Sequence, residues 1–176
     1  MADSIRDLLE MSLQDTYSAE TQILEALPNM QKAATSPKLK QAFQEHLAVT
    51  KRQVERLEQV CKALGIEPEG ETCEAMEGLV EEGEEMIEEL SQGPVLDAAL
   101  IGAAQKVEHY EMAAYGTLTA MLKAMGEQKS ADLMAQTLKE EKDTDELLTE
   151  IAEGEVNPAA LGQKPANDQK ASRGAA

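Results

Sequence analysis

Glu108 and Glu111 are two carboxylates one helical turn apart, set among Ile101, Ala104, Tyr115, Leu118 and Leu122 at helical spacing. On a helix these residues share one stripe, so both acids are aimed at the interior. The same anomaly recurs elsewhere. Glu20 falls on the stripe of Leu13, Tyr17, Leu24 and Leu27, and Glu141 on that of Leu133, Thr137, Thr144 and Leu148. A further stretch turns His46, Thr50 and Gln53 inward. Buried carboxylates crowded together repel one another or take up protons unless a cation compensates them. Oxygen donors suit hard cations such as Fe, Mn or Mg. Glutamates from facing helices are the usual means by which a bundle holds a di-iron or di-manganese pair.

Positioning these side chains requires long helices, and the pattern supplies them. The first runs from the N-cap Ser4 to about Thr35, with Asp7 three residues after the cap and a kink or restart expected at Pro28. The second spans about Lys38 to Leu64, with Gly65 placed to end it. A Pro/Gly-containing link leads to a glutamate-rich segment, Cys73 to Leu90, whose thin apolar stripe predicts a surface helix laid across the others. After Ser91-Gln92-Gly93-Pro94, two more helices span about Val95 to Met125 and Lys129 to Ala152, joined at Gly126. Short joins force antiparallel neighbours within each pair, and the long middle connection permits the crossover of ferritin-like bundles. The predicted fold is therefore all-α: a ferritin-like four-helix bundle over residues 1–153, with an extra helix in its long crossover. From residue 154 to 176 the composition turns to Gly, Pro, Asn, Gln, Lys and Ala, and a flexible tail is expected.

Register then brings the polar residues to one level. Folding the first two helices back on each other near residue 36 sets Glu20 beside Gln53. Folding the last two near residue 127 sets Glu111 beside Glu141 or Lys142, and Glu108 beside Thr144 or Asp145. The candidate metal ligands are thus Glu20, Glu108, Glu111 and Glu141, with Gln53 and Asp145 as weaker contributors. His46 lies about 10 Å along the axis from Gln53, near Leu27, and reads as a hydrogen-bonded core histidine or a second-site candidate. His109 is turned about 100° from Glu108. Tyr17, Tyr110 and Tyr115 suit hydrogen bonds to carboxylates as well as core packing.

Composition narrows the functional classes. With 34 acidic against 16 basic residues the formal charge is -18, a surface that repels phosphate backbones and argues against nucleic acid as a partner. No apolar run is long enough for a membrane span, and the first residues lack the basic-then-apolar order of a secretory signal, so a cytoplasmic location is expected. Cys61 and Cys73 are the only cysteines and form no CxxC pair.

Several blocks resemble the YciF/YciE family of ferritin-like bacterial proteins: Asp15-Thr16-Tyr17-Ser18-Ala19-Glu20, the run His46-Leu47 through Thr50, Gln53-Val54 and Arg56-Leu57-Glu58, then Lys106-Val107-Glu108-His109-Tyr110-Glu111, and Leu138-Lys139-Glu140-Glu141 with Thr144-Asp145. The similarity covers residues 3 to about 153. It implies the ferritin-like fold with an additional helix, a homodimer, an association with stress responses, and a centre of two iron ions, with manganese as the alternative, at Glu20, Glu108, Glu111 and Glu141. Ferritins and rubrerythrins place Glu-x-x-His on two of the site helices. Here the matching positions read Gln53-x-x-Arg56 and Glu141-x-x-Thr144, without either histidine. Arg56 paired with a carboxylate would replace one metal's charge and leave a one-metal site. Two functional readings are open: a di-iron protein with O₂- or peroxide-linked oxidoreductase chemistry, or a noncatalytic helical structural or interaction protein whose buried polar layer specifies register and partner.

Overall fold

The computed structural model describes residues 4–162. Five long helices succeed one another in order: α1 (Ile5–Ala33), α2 (Pro37–Leu64), α3 (Glu74–Glu89), α4 (Pro94–Ala124) and α5 (Gln128–Ile151). A π-helical turn, Ala152–Val156, and a short α6, Asn157–Ala160, complete the described chain.

Local chemistry sets the helix ends. Ser4 and Asp7 exchange hydrogen bonds in a capping box. Ser36 caps α2 through the Leu39 amide, with Pro37 in the first turn. At the far end of α2, Gly65 adopts φ 68°, and the Ile66 and Gly65 amides donate to the carbonyls of Cys61 and Lys62. Gly126, at φ 80°, closes α4 in the same way onto Leu122 and Lys123. Both are Schellman endings, which need the left-handed conformation that glycine adopts without Cβ strain. Pro28 does not break α1, which runs unbroken to Ala33 with the proline on its exposed side.

α1 packs on α2 and α4, and α5 packs on α4 and α2. The four make a square in which every neighbour is antiparallel, as the crossover connection predicts. α3 lies outside the square, across α1 and α4, and buries only Met76 and Gly83 fully. Its N-terminus is moored by Ser18, whose hydroxyl accepts from the Cys73 amide at 2.9 Å, and by Gln22, which donates to the Cys73 carbonyl. One end of the square is locked by Asp97 of α4. Its carboxylate, 2 % exposed, accepts from the Thr35 and Ser36 amides and the Thr35 hydroxyl at 2.6–2.8 Å. Ser36 also donates to Glu155, and Lys38 pairs with the same carboxylate at 3.1 Å. Residues 152–160, partly within the segment expected to be a tail, are thereby helical and docked, with Val156 buried. The rest of that segment, 163–176, lies outside the described residues.

The apolar interior comes in two parts. Ile23, Leu27, Leu39, Phe43, Leu100 and Leu148 belong to one cluster, near the Asp97 end. Leu9, Leu13, Leu57, Leu118, Leu122 and Met134 belong to the other, near the Gly65 and Gly126 turns. Between them lies a layer of buried polar residues.

Candidate metal centre

The polar layer draws on all four helices of the square. α1 supplies Thr16 and Glu20; α2 supplies His46, Thr50 and Gln53; α4 supplies Glu108 and Glu111; α5 supplies Thr137 and Glu141. Each is there because its helix places it on the inward stripe, so the leucines above and below fix its direction. Glu20, Glu111, Gln53 and Glu141 are 0 % exposed and Glu108 1 %.

Geometry gathers four of these into one constellation. His46, Glu108, Glu111 and Glu141 each present one donor atom within 4.8 Å of all the others. His46 Nε2 lies 3.3 Å from Glu108 Oε1. Glu20 flanks the group and accepts a short hydrogen bond from the Tyr115 hydroxyl. The Gln53 amide donates to Glu141 and, at 3.2 Å, to Glu140, leaving its own carbonyl oxygen without a donor. The structure thus joins Glu108, Glu111 and Glu141 directly, with Glu20 and Gln53 hydrogen-bonded at the margin.

Asp145 is placed differently. It sits at the seam of α4 and α5, accepting from Gln105 at 3.1 Å and lying 3.4 Å from His109 Nε2. Arg56 also turns away from the centre. Its guanidinium forms a two-pronged pair with Glu140 at 2.6 and 2.7 Å and donates to Thr137. Among the described residues, none of Glu20, Glu108, Glu111 and Glu141 forms an ion pair with lysine or arginine.

His46 is the member of the constellation that the sequence reading leaves outside the ligand set, as a core histidine or second-site candidate. Seven residues from Gln53 amounts to about 10 Å of axis, but the centre itself has depth. Glu108 stands one turn from Glu111 toward the Asp97 end, and His46 meets Glu108 at that upper level. The available signal was a histidine on an inward stripe of α2, read against α4 rather than against α1.

Electrostatics describe a site built around missing positive charge. Burial raises Glu20 to about 7, although the Tyr115 hydrogen bond pulls the other way. Burial raises Glu108 to about 8. Glu111 and Glu141 are raised well above the usual carboxylate range, by burial first and then by one another and their acidic neighbours. Burial lowers His46 to about 4, so its imidazole is neutral at physiological pH with a lone pair to give. Glu140, half outside, is also pushed up by burial, but Arg56 outweighs this and holds it low.

The donor set fits a metal. With the acids ionised, both oxygens of Glu111, one each of Glu20, Glu108 and Glu141, and both His46 nitrogens are buried without a hydrogen-bond partner, and only protons shared between Glu20 and Glu111 or between Glu108 and Glu141 could stand in for a cation. Buried polar atoms are almost always satisfied, so this many in one place requires an explanation. Carboxylates with one neutral imidazole are hard-to-borderline donors, suited to Fe or Mn.

Comparison with known proteins agrees with this architecture. Residues 4–161 match the family described as a domain of unknown function, DUF892. The chain is 47% identical over 158 residues to protein YciF of Escherichia coli K12, covering 89% of this chain and 95% of that one. The crystal structure of the E. coli stress protein YciF superposes with a TM-score of 0.85, covering 88% of this chain and 98% of that chain. A Rhodopseudomonas palustris structure, 43% identical, gives 0.81 over 84% and 94%. A Xanthomonas campestris protein at 21% identity and TM-score 0.72, over 90% and 97%, shares the fold. No described helix is long and apolar enough to cross a membrane. By sequence and by fold together, the chain belongs to the DUF892 family and is a homologue of the stress protein YciF.

Proposed function

We propose that this protein is a di-iron carboxylate protein of the bacterial stress response, with di-manganese loading as the alternative. One observation carries the reading: four buried donor residues converge within 4.8 Å, and no lysine or arginine among the described residues pairs with their three carboxylates, of which Glu111 has neither oxygen accepting from a donor. Glu108, Glu111, Glu141 and His46 would hold the metal, with Glu20 beside them and the Gln53 carbonyl as a neutral donor. Asp145, a ligand candidate from sequence, would act from outside by orienting Gln105 and His109.

A bound iron pair supplies electrons for O₂ or peroxide. The chain's own contribution is to keep the site dry and its donors oriented. Tyr115 fixes one oxygen of Glu20, and Gln53 fixes one oxygen of Glu141, which leaves the opposite oxygens facing inward. Arg56 neutralises Glu140 rather than an interior acid, so the interior retains its charge deficit for cations. Both apolar clusters exclude water above and below the layer. The protein would act in the cytoplasm as a homodimer, which analytical ultracentrifugation tests.

A noncatalytic structural or interaction role is the second reading. It is favoured by the Tyr115–Glu20 and Gln53–Glu141 hydrogen bonds, which hold the layer together without metal, and a structural role has been suggested for the R. palustris relative. Elemental analysis after anaerobic Fe²⁺ loading, with Mössbauer spectra during oxidation, separates the two. About two irons per chain with a coupled diferric signal is expected, and Glu111→Ala should lose that iron while remaining helical. Folded protein that takes up no stoichiometric metal refutes the di-iron reading.

A further inference from the structure

Fe²⁺ and its oxidant are chemically unlike, and the surroundings of the centre offer each a separate approach. A depression between α2 and α5 reaches His46 past Glu45, Glu140 and Asp143, an acidic border suited to cations and polar molecules. On the other side of His46 runs a passage of opposite character, with a cavity volume of about 40 Å³. Exposed Asn29 and Glu84 stand at its outer rim, and His46 and Glu108 line its inner part. Between them the walls are almost wholly apolar. Ile23 and Leu27 of α1, Phe43 of α2 and Leu148 of α5 face it, and α3 roofs it with Leu79 and Val80.

Small residues keep it open. Ala26, Ala42, Ala103 and Ala104 line it where longer side chains would fill the space, and so does Gly83 on α3. Gly83 is buried at an ordinary helical conformation, and a Cβ there would meet only Ala103 Cβ, at 3.7 Å. Neither turn geometry nor crowding requires glycine at this position. The passage does.

We propose that this passage is a binding site for a dioxygen-sized apolar molecule, presented to the His46–Glu108 edge of the centre. Size and polarity select the occupant. A water needs about 10–15 Å³ and two or more polar partners, and apolar cavities stay dry; benzene enters cavities of about 150 Å³. The volume here admits a diatomic gas or xenon and excludes a ring. Hydrogen peroxide would forfeit its hydrogen bonds on the way in. The delivery role rests on the metal-centre reading; occupancy of the passage does not.

Xenon pressurisation of metal-free crystals tests occupancy directly. A xenon peak among Ile23, Phe43, Ala104 and Leu148 is expected, and Gly83→Met, whose side chain grows toward Ala103, should abolish it. In Fe²⁺-loaded protein the same substitution should leave iron content and oxidation by hydrogen peroxide unchanged, yet slow oxidation by O₂ roughly tenfold or more. Ala26→Leu plugs the α1 wall and serves if Gly83→Met does not fold. No xenon in the unsubstituted protein overturns the proposal. So does a plugged variant that excludes xenon but is oxidised by O₂ at the parental rate. Xenon uptake in protein that binds no iron refutes the metal centre and still upholds the apolar site.

Discussion

Removing metal and raising pH should strain the polar layer by an amount that can be worked out. A carboxyl whose pKa is raised in the folded protein is protonated when folded and ionised when unfolded throughout the interval between the two values. Its stabilisation is intact below about 4.5 and is lost as pH rises toward the folded pKa, at about 1.4 kcal/mol per pH unit. Glu20 loses it between 4.5 and about 7, and Glu108 between 4.5 and about 8. His46 works in the opposite direction: with its pKa lowered from 6.5 to about 4, it destabilises the folded state as pH falls through that window. Above pH 6.5 only the carboxyls count. Between pH 6.5 and 8, Glu20 titrates through its last half unit and Glu108 through one and a half. The metal-free protein should therefore lose about 3 kcal/mol, with Glu111 and Glu141 acting in the same sense. That is a large share of the ~5–15 kcal/mol typical of a folded domain. Urea unfolding monitored by circular dichroism should show the midpoint falling by roughly 1–2 M across this range. Metal competes with protons for the same oxygens, so a fixed Mn²⁺ concentration should stabilise more at pH 8 than at 6.5, the total at pH 8 reaching about 2.7 kcal/mol where Mn²⁺ is a hundredfold above Kd. A midpoint independent of pH from 6.5 to 8, and unmoved by Mn²⁺ or Fe²⁺, would sink the argument that these acids are buried together around a cation site.

Other substitutions probe single parts. His46→Ala should lower metal stoichiometry, measured by elemental analysis, while raising metal-free stability toward pH 5, because it deletes a buried group that must stay neutral. Tyr115→Phe leaves a Glu20 oxygen without its donor and should cost about 1–3 kcal/mol in urea unfolding. Asp97→Ala strips acceptors from two backbone amides and a hydroxyl at the α1–α2 turn; a loss of about 3 kcal/mol or more and faster hydrogen exchange at Thr35 and Ser36 are expected. Gly65→Ala forces a side chain into φ 68° and should cost about 1–2 kcal/mol, read as a lowered melting temperature.

How much of the fold and the centre is legible in the chain depends on which contacts are local. Helix spans, the capping box at Ser4, the Gly65 and Gly126 endings and the outlying acidic helix arise from residues close in sequence, and all were legible. So was the inward direction of Glu20, Glu108, Glu111 and Glu141, because periodicity reports direction well. Register within a hairpin is also readable, since the turn fixes it, and Glu111 does meet Glu141 across the α4–α5 pair. Between hairpins nothing local sets the level. The α2–α4 relation passes through α3 and two loops, so the sequence reading places His46 near Leu27, with which it does line a cavity, but gives no sign of Glu108 beside it. Asp145 shows a finer limit: four residues beyond Glu141 it overshoots the inward direction by about 40°, enough to reach Gln105 and His109 rather than the interior. The docked π-turn was hidden for a related reason, since Glu155 finds Ser36 across 119 residues.

Two apolar clusters separated by a charged stratum also constrain how the chain can change in length. Every helix of the square must place leucines in one cluster, a polar residue in the middle and more leucines beyond. Inserting one residue in α4 between Leu100 and Glu108 would rotate the remainder of the helix by about 100°, turning both acids toward a neighbouring helix and the leucines toward water. Insertions belong in the turns, where Gly65 and Gly126 end their helices whatever the next segment does. Length variation among relatives should therefore collect at the 66–72 and 91–93 links and beyond 162, with the interval from Leu9 to Leu27, and its counterparts on the other three helices, fixed to the residue.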